Sequence, residues 1–189
     1  MATTRQYRLG RRADRQAQTR QRIVEAAVDL HTTVGPAATS ISAIAERAGV
    51  QRHTVYAHFP DETVLFGACS AHWIEANPFP DGAAWLAIGD TGERLRRALR
   101  DVYAWYERVE TSLALFVRDA DVFPSWGEAR RARLAELADL LAKDLPRRKT
   151  VRAAVGHALE FETWRSLVRT QGLSNRAAAD AMARLAEAL

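Results

Sequence analysis

The sequence predicts an all-α protein: an N-terminal three-helix helix-turn-helix domain followed by a C-terminal helical domain. Three observations carry this. Apolar residues recur at helical spacing along most of the 189-residue chain. No alternating run of Val, Ile and Thr is long enough for a strand. Only ten Gly and six Pro interrupt the chain, which is dominated by Ala and Leu.

Residues 1–16 read as a basic arm, with Arg5, Arg8, Arg11, Arg12 and Arg15 among polar neighbours and little to bury. Such a segment is either a solvated tail or an arm that neutralises phosphates or enters a minor groove. A first helix follows over about 17–33, its buried face marked by Ile23, Ala26, Ala27 and Leu30, and Gly35-Pro36 stops it. A second runs over about 40–48, with Ile41, Ile44, Ala45 and Ala48 on one face. Thr39 or Ser40 can cap it through a hydroxyl. Neither has Glu or Gln three places on, so no capping box is expected. Gly49 stands where a left-handed residue ends a helix, and Val50 can pack into the angle beyond it. A third helix over about 52–57 is anchored by Val55 and Phe59, four apart. Two short helices about a tight glycine turn make a helix-turn-helix, and the second is the one a major groove receives.

Pro60 breaks the chain. A longer helix is expected over 61–75, with Asp61 and Glu62 suited to its positive end and Val64, Leu65, Ala68 and His72 on one side. The stretch Asn77-Pro78-Phe79-Pro80-Asp81-Gly82 cannot continue it. The helix-turn-helix domain is therefore placed at 17–76 and a second domain at 77–189. Helices are expected there at about 91–108, 111–120, 126–145, 149–171 and 175–189, divided by Gly89, Gly92, Pro124, Pro146 and Gly172.

Charge divides along the same line. Residues 1–60 hold nine Arg against four acids, a balance of +5; residues 61–189 hold 18 Lys and Arg against 19 acids, a balance of −1. A basic excess on the helix-turn-helix half is the asymmetry expected where one end of a chain meets a polyanion. The single cysteine, Cys69, excludes an internal disulfide and fits a reducing cytoplasm. No apolar run approaches the ~20 residues of a membrane span, and the basic N-terminus lacks the apolar stretch of a secretory signal.

Over residues 39–65 the sequence resembles the DNA-binding signature of TetR-type transcriptional regulators. The residues that carry the resemblance are Thr39, Ile44-Ala45, Ala48-Gly49-Val50, Tyr56-Ala57-His58-Phe59 and Leu65, with Ile-x-x-Ala-Ala-x-x-Leu at 23–30 in the first helix. Two positions depart from it. Gln51 opens the third helix where Ser is common. Glu62 stands where the family often has a phosphate-contacting Lys, so it is not assigned to DNA.

The resemblance implies a transcriptional regulator whose partner is double-stranded DNA. Arg52 can pair bidentately with guanine and Gln51 with adenine, His53 can donate or accept, and Thr54 can meet a thymine methyl or a phosphate. Thr39, Tyr56 and His58 stand where the family contacts phosphate, and Ser40 is grouped with them; such contacts fix register without reading sequence. One recognition helix reads few base pairs, so a homodimer on a palindromic operator is expected. Its pairing surface is expected on the last two long helices, through Val151, Ala154, Val155, Ala158 and Leu159 on one and Ala177, Ala178, Ala181, Met182 and Leu185 on the other; the same residues also suit internal core. The family further implies a repressor released by a small-molecule effector held in the C-terminal domain. Candidates for its pocket are Trp105, Phe116, Trp126, His157, Phe161 and Trp164, with Tyr106, Phe123, Arg118 and Glu160 beside them. Aromatics at helical spacing also serve as plain core.

No cofactor is implied. Cys69 and His72 lie three apart on one helix, but no Cys/His set completes a zinc site, and neither a nucleophile elbow nor a phosphate-cradling glycine loop occurs. No catalytic or metal-binding residue is therefore assigned. The competing reading is a helical small-molecule-binding protein or enzyme without a DNA role.

Overall fold

Every element of the structure, a computed structural model, is helical. It describes residues 2–146 and 148–189, with side chains from residue 11 onward. In chain order the elements are α1 (Ala2–Thr33), α2 (Ile41–Ala48), α3 (Arg52–His58), α4 (Glu62–Ala76), α5 (Gly82–Leu86), α6 (Thr91–Arg118), α7 (Pro124–Ala142), α8 (Lys149–Ala158), α9 (Phe161–Arg165) and α10 (Asn175–Glu187). Short 3-10 turns cover Pro36–Ala38 and Ala120–Val122, and a π-helical turn over Ser166–Thr170 continues α9. No helix among the described residues is long and apolar enough to cross a membrane.

The backbone forms two compact units. The first takes residues 1–78 and 111–123, the second 79–110 and 124–189. In the first, α1 packs on α2, α3 and α4. Ile23, Val24 and Ala27 of α1 close over Ile41, Ile44 and Ala48 of α2, Val55 of α3, Phe59, and Leu65 and Cys69 of α4. Burying a large aliphatic or aromatic side chain contributes about 1.5–3 kcal/mol, so this apolar seam is what holds three short helices that would not persist alone. A second, aromatic layer joins α4 to residues 111–123. Phe66 stacks on Phe123 at 3.8 Å between centroids, and Phe116 meets Phe66 and Trp73 edge-on at 6.5 and 5.3 Å.

The second unit is built on α6, α7, α8 and α10, with α8 packed between α7 and α10. Leu95, Ala98, Leu99 and Val102 of α6 are fully buried with Val155, Ala158 and Leu159. Arg94 is buried too, and its guanidinium is satisfied by Asp144 at 2.6 Å and the Ile88 carbonyl at 3.0 Å. Trp85 of α5, also buried, donates its indole N–H to Asp101 at 2.9 Å.

The observed elements differ from the sequence expectations at several points. Helix α1 begins at Ala2 rather than near residue 17. Residues 11–18 are all exposed, so this stretch of the expected arm is unpacked but helical, as its Arg, Ala and Gln favour. Arg5 and Arg8 lie outside the described side chains. Residues 91–118 form one helix where two were expected, because no Gly or Pro falls between 93 and 118 to divide them. Pro124 opens α7 instead of preceding it, since a first-turn proline gives up no hydrogen bond.

The helix expected over 149–171 is broken after Ala158. The Tyr103 hydroxyl donates to the Ala158 carbonyl at 2.9 Å and the Tyr106 hydroxyl to the Leu159 carbonyl at 2.5 Å, which satisfies both without a helical partner. In α4 the buried residues are Leu65, Phe66 and Cys69, while Val64 faces outward. Of the face expected to pair two copies, Val151, Val155, Ala158, Leu159, Ala178 and Met182 are buried inside this chain, because α8 and α10 cover one another.

Candidate nucleic-acid interface

The candidate reading surface is built around two chain reversals in the first unit. Gly35, at φ +98°, starts the turn that leads into α2. Thr39 donates its hydroxyl back to the Gly35 carbonyl at 2.8 Å, and Ser40 caps α2 by accepting from the Ala43 N–H at 3.1 Å. The alternative between the two hydroxyls is thereby resolved: Ser40 is the cap and Thr39 braces the turn. At the other end of α2, Gly49 takes φ +64°; its N–H bonds Glu46 O at 3.1 Å and the Val50 N–H bonds Ala45 O at 3.0 Å. This double bond pattern closes the helix and turns the chain sharply into α3. An ion pair between Arg47 and Asp29 ties α2 to α1.

Helix α3 starts without a side-chain cap, as Gln51 in place of a hydroxyl residue implies. It is oriented instead by its apolar side. Val55 and Phe59 are 0% and 1% exposed, and the Arg20 guanidinium lies 4.7 Å over the Phe59 ring from α1. The opposite side stands in solvent. Gln51, Arg52, His53 and Tyr56 are exposed, and Thr54 and His58 half-buried. Arg52 and Tyr56, one turn apart, lie side by side: Nη2 is 3.4 Å from the tyrosine oxygen and the guanidinium 5.7 Å from the ring centroid. The helix carries no acid, so its outer face offers donors and cationic charge without internal neutralisation. Asp61 caps α4 through the Val64 N–H at 2.8 Å, and Glu62 beside it is exposed.

Two buried groups in this unit are fixed in their uncharged forms. Burial lowers the His31 pKa to about 4, so the ring is neutral at pH 7. It packs 5.4 Å from the Phe66 ring, and its Nδ1 is buried without a partner. Burial pushes the Cys69 thiol up to about 12, which leaves it protonated and unreactive.

The aromatic candidates for an effector pocket are divided between the two units. Phe116 lies in the first unit against Phe66 and Trp73, and Phe123 stacks there too. In the second unit Trp105, Tyr106, Phe161 and Trp164 form one cluster, with Tyr106 5.3 Å from Phe161 and 5.8 Å from Trp164. Phe161 and Trp164 are fully buried. Trp126 is half-buried, and His157 is exposed with its ring 3.3 Å from the Thr163 hydroxyl. Arg130 pairs with Glu160 at 2.9 Å. Among the described residues no group of three or more His, Cys, Asp or Glu could hold a metal ion.

Sequence reading gives no signal for Asp119. This nearly buried carboxylate accepts from the Ala37 N–H at 3.0 Å, from 82 residues away, and from Arg118 through Nε at 2.6 Å and Nη2 at 2.9 Å. The Arg118 hydrogen bond, with help from Ala37, holds its pKa below the usual carboxylate range despite burial.

Comparison with known proteins agrees with this geometry. Residues 23–69, from α1 to the middle of α4, match the family described as bacterial regulatory proteins, tetR family. A crystal structure assigned to the TetR family of transcriptional regulators, from Mesorhizobium loti MAFF303099, superposes with a TM-score of 0.64 at 21% identity. It covers 92% of this chain and 97% of that one, and shows the fold alone. A TetR-like transcriptional regulator from Rhodococcus sp. RHA1 superposes with a TM-score of 0.61 at 27% identity, over 89% of this chain and 93% of that one. No curated protein matches the sequence. The helix-turn-helix segment thus matches the tetR family of bacterial regulatory proteins, and the chain shares its fold with two solved structures of TetR-type regulators.

Proposed function

We propose that this protein is a transcriptional repressor that binds a palindromic DNA operator as a homodimer and leaves it when a small-molecule effector binds. The observation that carries the reading is the division of α3 into two sides. Val55 and Phe59 anchor it in the core, and Gln51, Arg52, His53 and Tyr56 stand exposed with no acid among them. In this reading Gln51, Arg52, His53 and Thr54 meet base edges, and Thr39, Ser40, Tyr56 and His58 meet the backbone. The regulator segment starts one helical turn before Ala27 and ends at Cys69, so all eight residues fall inside it.

Two copies give the discrimination that one short helix lacks. The surface left for pairing on the last helix is narrower than its sequence suggests: Ala177, Ala181 and Leu185, the last 51% exposed. The effector is assigned to the second unit's own candidates, Trp105, Trp126, His157, Phe161 and Trp164. Since Phe161 and Trp164 are fully buried, an effector reaching them must displace packed rings. Release then follows only if the effector binds the non-binding dimer better than the DNA-bound one.

Selection of bound duplexes from a random pool tests the reading. The expected product is a two-fold symmetric site with half-sites one helical turn or a multiple apart, bound with an affinity that falls steeply with salt. Recovery of no enriched sequence, with salt-independent retention, refutes it in favour of a small-molecule-binding protein.

A further inference from the structure

We infer that Asp119, held by Arg118, is a positioning residue for DNA recognition: it clamps the Gly35–Ala37 turn and so sets where α2 begins. The inference rests on the DNA-binding reading above and adds residues outside the segment matched to the family. The carboxylate lies directly on the turn. A Cβ at Gly35 would fall 2.6 Å from Asp119 Oδ2 and against the Arg118 guanidinium, so the glycine gives both the positive φ and the space for the clamp. Asp119 accepts from the Ala37 N–H at 3.0 Å, and Arg118 Nη2 donates to the Val34 carbonyl at 3.2 Å. The turn is thus held at both shoulders by two adjacent side chains. From it the order passes on through the Thr39 hydroxyl on Gly35 O and the Ser40 cap of α2.

Phe123, four residues after Asp119, stacks on Phe66 of α4. One short segment therefore grips the entry to α2 through Asp119 and the helix after α3 through Phe123. The residues they hold, Ala37 and Phe66, bracket the helix-turn-helix along the chain. Backbone contacts at the start of α2 fix register on a duplex, so a loose turn there degrades discrimination before it degrades general attraction. Removing a carboxylate also makes the chain more cationic, which by itself favours random DNA.

The test compares full-length Asp119→Ala and Asp119→Asn with wild type on the selected duplex and on a random duplex, with amide exchange at Ala37 followed in wild type. Asp119→Ala is expected to lose about tenfold or more on the selected duplex while changing less than about twofold on random DNA. Asp119→Asn, which keeps an oxygen for the Ala37 N–H, is expected to recover most of the loss. The wild-type Ala37 amide is expected to be protected. Unaltered selectivity in Asp119→Ala, equal losses on both duplexes, or a fast-exchanging Ala37 amide overturns the positioning role. The amide measurement decides even if the alanine variant does not fold. A wild-type chain that selects no duplex removes the DNA-binding reading and this role together, whereas selective wild-type binding with an unaffected Asp119→Ala removes only the role.

Discussion

Acid should loosen the first unit through one ring. His31 is 4% exposed, stands at the end of α1 beside Phe66, and has a buried Nδ1 without a partner. Burial lowers its pKa from 6.5 to about 4. At pH 7 the ring is neutral in the folded and the unfolded chain alike, and no stability is lost. Below pH 6.5 the unfolded chain takes up a proton that the folded chain refuses until about pH 4. Stability present above 6.5 is therefore lost as pH falls from 6.5 to 4, and the loss levels off below that. The gap between 6.5 and about 4, at about 1.4 kcal/mol per pH unit, comes to about 3 kcal/mol. Stability of this order is a large share of what a small domain has.

Two measurements check it. The imidazole resonances of His31 should titrate with a midpoint near pH 4. Urea unfolding of wild type and His31→Leu at pH 7 and pH 4.5 should show the variant gaining on wild type as pH falls, since carboxylate titration is common to both. A His31 midpoint near 6.5, or a difference between the two proteins that does not move with pH, refutes the argument.

Other perturbations have equally definite outcomes. Arg52→Ala should weaken binding to the selected duplex about ten- to hundredfold and relax preference at one base position, read by repeating the selection; equal loss on random DNA shows a phosphate contact instead. Glu62→Lys should raise affinity for random duplex and steepen its salt dependence by about one unit of log–log slope, because an exposed acid beside the reading face becomes a phosphate partner; an unchanged slope places the residue away from DNA. Tyr103→Phe with Tyr106→Phe should destabilise the second unit by roughly 1–3 kcal/mol per carbonyl left unpaired, measured by urea unfolding, and a neutral double variant shows that the break after Ala158 has another cause.

The parts legible in the sequence are those whose causes lie within a few residues. Gly49 ends α2 because the αL conformation is cheapest for glycine, and its neighbours Ala45 and Glu46 supply the carbonyls. Val55 and Phe59 mark the inner side of α3 by their spacing, which also marks Gln51, Arg52, His53 and Tyr56 as outer. Asp61, expected within the first turn of α4, stands one residue outside it as the cap. Where partners are distant, local pattern misleads. Val64 and Leu65 read alike, and only packing turns one out and the other in.

That the chain is helical, that its first third carries a helix-turn-helix, and which side of α3 is polar can all be read from residue order, because helix periodicity, caps and glycine turns are local rules. Tertiary structure alone decided that α8 stops at Ala158, that α8 and α10 spend most of their apolar surface on each other, and that Asp119 sits on the turn before α2. Each of these depends on a hydrogen bond or a packed face supplied from at least about twenty residues away. A buried polar group takes whichever partner the fold brings to it, and no local pattern names that partner in advance.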